Sequence, residues 1–148
     1  MSGDLKIAAE LLEEEGQTLV VVKNGRLLFS SRLAGIQPLL DALDNNVLPG
    51  SAVADKITGR AAAMVLALGQ VTALHSLVMS QGAAEVLADN GILYCAAQVV
   101  PQIKNREGTG PCPFEAITEF TVIPEKGVNA VRKLLKDLHS AAPGKKVH

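Results

Sequence analysis

Tryptophan is missing from this chain of 148 residues, and Tyr94, Phe29, Phe114 and Phe120 are its only aromatic side chains. A core must therefore be filled with alanine, valine and leucine, and a stacking platform for single-stranded nucleic acid has little to be built from. An excess of either charge is missing too. Fourteen Lys and Arg stand against 15 Asp and Glu, for a formal net charge of -1, and no long basic run occurs. That balance removes the electrostatic case for nucleic acid or a membrane surface as partner. The longest wholly apolar run, Ala61 to Leu68, falls far short of the roughly 20 residues that cross a bilayer. The first segment, MSGDLKIAAELLEEEG, is acidic and amphipathic, unlike a signal peptide, so a cytoplasmic protein is expected. In that compartment the only two cysteines, Cys95 and Cys112, are expected as free thiols.

What the chain does have is apolar content, 48% of residues, enough for one domain over 1–148 with a full core. Leu5, Ala8, Leu11 and Leu12 recur at helical spacing from Asp4 to Glu15, and Gly16 ends the run. Thr18 to Lys23 and Arg26 to Ser31 are β-rich runs flanking Asn24-Gly25, a strong hairpin signal because a type I′ turn needs positive φ at both central residues. A short helix around Leu39, Leu40 and Leu43 follows Pro38, and a strand is expected from Ser51 to Ala54. Beyond the apolar helix near Ala61 to Leu68, Ala73 to Met79 reads as a strand, and Ser80 as the N-cap of a helix from Gln81 to Asp89. Asn90-Gly91 ends that helix, and Leu93 to Val99 is a further strand with Cys95 on its apolar face. Apolar strands alternating with helices indicate a sheet covered on both faces, an α/β arrangement in α-β-α layers. Val100 to Glu115 is irregular and leads into a short helix from about Pro113. Pro124 to His139 closes the ordered core, about 4–139, as an amphipathic helix, and 140–148 is expected as a flexible tail.

The stretch AVADKITGRAAAMVLAL, Ala52 to Leu68, organises the rest. A helix apolar on all sides has no face for water and belongs deep in the core. Its polar entrance, Asp55, Lys56, Thr58, Gly59 and Arg60, cannot follow it without partners. A cleft at the helix start is expected, where free amides and the dipole favour an anion.

The order of elements and the strings VADKITGRAAA and NREGTGPCPFE together resemble a bacterial domain-of-unknown-function family of cytidine-deaminase-like fold, over roughly residues 4–139. The resemblance implies a five-stranded mixed sheet with helices on both faces. It does not imply deamination. Zinc deaminases carry His-x-Glu or Cys-x-Glu at the first buried helix and Pro-Cys-x-x-Cys at the next. Here Thr58, Gly59 and Arg60 hold the first place and Met79 to Ala84 the second. His75, His139 and His148 lie on a strand, a distal helix and the tail. No metal and no cofactor are therefore expected. Helix starts near Gly59 and Gln81 are expected to share one cleft that holds a small anion, a nucleotide or nucleotide diphosphate.

Each candidate also has a plainer reading. Asp55 and Lys56 either pair at a strand end or meet a ribose hydroxyl and a phosphate, with Asp55 also a candidate base. Arg60 opposes the dipole at a helix start, an oddity that a ligand anion or Glu115 would remove. Gly59 serves close packing or ligand approach, and Ser80 a cap or a contact. Asn105, Arg106 and Glu107 either solvate a loop or, through Arg106, clamp an anion, while Gly108 and Gly110 let the backbone approach a ligand closely and Thr109 between them is counted with the ligand-binding residues. Glu115 caps its own helix or joins the site. Cys112 before a helix is a buried thiol or a nucleophile, while Cys95 is expected in the core and His75 as a packing residue with its polar atoms satisfied. Three functions stay open: a domain that binds without deaminating, a cysteine-dependent enzyme using Cys112, and an interaction module forming a homo-oligomer.

Overall fold

A computed structural model describes residues 3–14 and 16–146, with side chains as far as Ser140. The elements are α1 (Gly3–Glu14), β1 (Leu19–Lys23), β2 (Arg26–Ser31), α2 (Gln37–Asp44), β3 (Ala52–Thr58) and α3 (Arg60–Leu68). They continue as β4 (Ala73–Ser80), α4 (Gln81–Asp89), β5 (Leu93–Val100), α5 (Pro113–Thr118) and α6 (Pro124–Lys146). The strands form one five-stranded sheet in the order β2-β1-β3-β4-β5. β1 runs antiparallel to both β2 and β3, and β3, β4 and β5 are mutually parallel, so the sheet is mixed and the fold α/β.

The hairpin turns on Asn24 at φ 54 and Gly25 at φ 74, the pair of positive angles the type I′ turn requires. Asp4 of α1 secures it by accepting from the amides of Asn24 and Gly25 at 2.9 and 2.8 Å.

Period-two alternation assigns the two faces of β1. Leu19 and Val21 join the large core with α3, while Val20 and Val22 meet Ala8 and Leu12 of α1. Helices therefore cover both faces. Every residue of α3 from Arg60 to Leu66 is buried, as its all-round apolar sequence requires.

Four expectations need correction. β3 does not stop at Ala54 but runs to Thr58, so Asp55 and Lys56 lie within the strand rather than past its end. Their side chains take opposite faces: Asp55 is 7% exposed, Lys56 lies in the open, and the ion pair between them does not form. β5 is an outer strand with Leu93 76% and Val99 51% exposed, so the sheet is not covered on both faces there, and Cys95 is half-buried rather than core. The last helix passes the expected end at His139 and continues through Ser140 to Lys146. His148 and Glu15 lie outside the described residues.

Candidate active cleft

β3 delivers two polar side chains to its carboxyl end, beside the start of α3. In open α/β sheets that end, near a reversal of strand order, is where ligands enter. Asp55 faces the same side as Val53, toward the helical layer, and among the described residues no cation pairs with it to offset its burial. Burial pushes its carboxyl up from 3.8 to about 7, against smaller opposing effects from the Thr58 hydroxyl and the Lys56 amide. Thr58 Oγ1 lies 3.0 Å from Asp55 Oδ2 and 2.9 Å from Ser76 Oγ, and Ser76 Oγ donates to the Val78 carbonyl at 3.0 Å. Thr58 has one proton for two acceptors. An ionised Asp55 takes that proton; a protonated Asp55 donates to Thr58, which then donates to Ser76. The network holds either state by turning a hydroxyl.

The start of α3 already has its anion. Glu115 of α5 places Oε1 2.7 Å from the amide of Arg60 and 3.0 Å from Ser80 Oγ. Ser80 is also the N-cap of α4, accepting from the Ala83 amide at 3.1 Å. One carboxylate thus serves two helix starts, where free amides and dipole favour negative charge. Gly59 makes this possible, because a Cβ there would collide with Glu115 Oε1.

Arg60 is only 7% exposed and is consumed by structure. Nε donates to the Thr118 carbonyl at 2.7 Å and Nη2 to the Thr121 carbonyl at 2.6 Å. Nη1 donates to the Gly82 carbonyl and to Glu85, both at 3.2 Å. A cation at the wrong end of α3 is at the right end of α5, where unpaired carbonyls gather. Arg60 therefore ties α5 down from one end while Glu115 ties it from the other.

A cleft of about 290 Å³ opens beside Asp55, Gly59 and Glu115, with Lys104 and Arg106 contributing cations from the loop after β5. Ile57, Ile36, Leu39 and Phe114 give it apolar walls. A second lobe of about 140 Å³ shares Asp55 and Ile57 and adds Lys56 and Thr18. The expected loop residues divide. Arg106 lines the cleft, whereas Asn105 binds the Gly110 carbonyl, the Gly108 amide and Thr109, which shapes the loop itself. Cys112 is half-buried at the start of α5, its amide bonded to the Ile103 carbonyl, and does not line the cleft. His75, expected as a satisfied packing residue, leaves Nε2 buried with no partner among the described residues.

Lys104 and the apolar walls were not among the expected site residues. The signal for Lys104 lay in Lys104-Asn105-Arg106, where a second cation stands two residues before Arg106 in the same irregular loop. Nothing local marks Ile36 or Phe114.

A family profile described as TM1506, domain of unknown function (DUF1893), matches residues 7–135. No curated protein matches the chain. Among solved structures it is similar to the crystal structure of a DUF1893 family protein (TM1506) from Thermotoga maritima, at 26% identity and a TM-score of 0.83. That likeness covers 90% of this chain and 91% of the other. Matched over most of its length in sequence and in structure, the chain belongs to the DUF1893 family, a domain of unknown function.

Proposed function

We propose that this protein binds a small phosphate-bearing molecule of nucleotide type, without deaminating it, on a cytidine-deaminase-like fold. Support for the fold comes from the order and directions of the strands, with a hairpin beside three parallel strands and the helices α3 and α4 between them. The residues at the two helix starts do not fit a deaminase zinc site. Arg60, Ser80 and the single carboxylate of Glu115 stand there, with no metal-binding group of cysteine, histidine and carboxylate side chains among the described residues.

One observation carries the binding reading. Lys104 and Arg106 line a single cleft together with Asp55, Glu115 and apolar walls, at the low end of small-molecule pocket volumes of roughly 300 Å³. A phosphate suits the loop cations, a flat heterocycle suits Ile57 and Phe114, and a hydrogen-bonding edge suits Asp55. The anion thus binds at the loop, because Glu115 already occupies the helix starts.

Melting temperature against a panel of nucleoside mono- and diphosphates, free nucleosides and inorganic phosphate tests this. A ligand at 100 times its Kd stabilises by about 2.7 kcal/mol, and the shift should fall in Lys104→Ala and Arg106→Ala. A panel without any shift in the intact protein contradicts it. Phe120 at 89% and Val122 at 70% exposure, two residues apart between α5 and α6, favour self-association as a second reading. Sedimentation giving only monomer at high concentration would end that one. The cysteine-dependent alternative lacks support of this kind, since Cys112 lies outside the cleft.

A further inference from the structure

A histidine stands beside Cys95. His75 of β4 and Cys95 of β5 are neighbours in register, with Nδ1 3.3 Å from Sγ. They lie on the α1 side of the sheet, where Cys95 packs at the margin of a small cluster with Leu5, Ala52 and Ala73. β5 is the outer strand, and on its same side Leu93 and Ala97, two residues before and after Cys95, are exposed. A reagent can therefore approach the sulfur along the strand. Nε2 of His75 is buried with no hydrogen-bond partner, so among the described residues the polar contact of the ring is the Cys95 sulfur at Nδ1.

We propose that Cys95 and His75 form a thiol-exchange site for small disulfides of the glutathione disulfide class. A sulfur acts as nucleophile when an adjacent base takes its proton. As Cys95 Sγ attacks one sulfur of the reagent, its proton passes to His75 Nδ1. A new sulfur–sulfur bond forms to Cys95 and the reagent's own bond breaks. The leaving half departs with the electron pair as a thiolate and recovers a proton from His75 or water. Cys95 is oxidised to a mixed disulfide and the leaving half is reduced to a thiol, so the reagent is the only oxidant needed. This site lies apart from the cleft and does not depend on what the cleft binds.

The test treats the full chain with glutathione disulfide and follows Cys95 and Cys112 separately by peptide mass spectrometry. Cys112 is also half-buried, so it serves as the internal comparison. Cys95 should form its mixed disulfide about tenfold or more faster than Cys112, and His75→Gln should remove that advantage while leaving the Cys112 rate unchanged. Equal rates at the two cysteines, or a Cys95 rate indifferent to His75→Gln, would overturn the proposal. Should His75→Gln fail to fold, imidazole ¹⁵N resonances of the native protein decide the matter. Capping Cys95 with a methylthio group should move Nδ1 far more than Nε2, and an unmoved Nδ1 overturns the pairing.

Discussion

Glu115 holds Oε1 2.7 Å from the backbone amide of Arg60, 55 residues earlier in the chain, so the anion at the start of the buried helix belongs to the protein itself. The same oxygen accepts from Ser80, which makes one carboxylate the common cap of α3 and α4.

Removing that carboxylate leaves a helix-start amide and the Ser80 hydroxyl short of their acceptor. Glu115→Ala should cost about 1–3 kcal/mol by urea unfolding, with Glu115→Gln losing less because its carbonyl still accepts. An unchanged midpoint in Glu115→Ala would mean that the contact contributes nothing.

Gly59 and Glu115 should be coupled. Gly59→Ala puts a methyl group into the space of Glu115 Oε1, although φ at Gly59 is -90 and any residue can adopt it. The single change is expected to cost about 1–3 kcal/mol by overpacking, and much less when Glu115 is already alanine. Additive costs in the double mutant would show that the two residues do not meet.

Arg60 anchors α5 through the carbonyls of Thr118 and Thr121. Arg60→Met buries a similar stem without donors and should destabilise by roughly 3 kcal/mol or more. Arg60→Lys should recover only part, because an ammonium lacks the planar fork. Hydrogen exchange should show α5 opening first, with α3 still protected.

Asp55 makes stability depend on pH. Its folded carboxyl is raised to about 7 from 3.8, so the stability it contributes is complete below 3.8 and lost as pH rises to 7. At 1.36 kcal/mol per unit, the difference between wild type and Asp55→Asn should change by about 4 kcal/mol across that window. The wild type should be relatively weaker at the alkaline end. A difference flat from pH 4 to 7 would place the carboxyl in its ordinary range.

Much of the frame was readable from residues alone, and the reasons are local. Asn24-Gly25 demanded its turn, Ser80 its cap, and the apolar run of α3 its burial, because each depends on neighbours in sequence. The end of β3 was missed because Asp55 to Thr58 are mostly polar, and polar residues past an apolar run read as loop. The strand continues on its ladder with β4, and Thr58 gives the buried Asp55 a hydrogen bond from the same interior. Exposure of β5 was unreadable, since an outer strand and a central one share the same apolar pattern. The positions of the cleft residues divide the same way. Asp55, Gly59, Arg106 and Glu115 were picked out by residue type, whereas the employment of Arg60 depends on carbonyls 58 and 61 residues away.

The cleft reading is tested most directly by mapping ¹⁵N amide shifts on the full chain during titration with a nucleoside monophosphate, beside inorganic phosphate alone. Saturable changes should gather at Asp55, Ile57, Gly59, Lys104 and Arg106, and Arg106→Ala should weaken the titration about tenfold, the scale of one charge-assisted contact. Amides that stay still throughout the panel, or shifts that scatter over the surface without saturating, would contradict it.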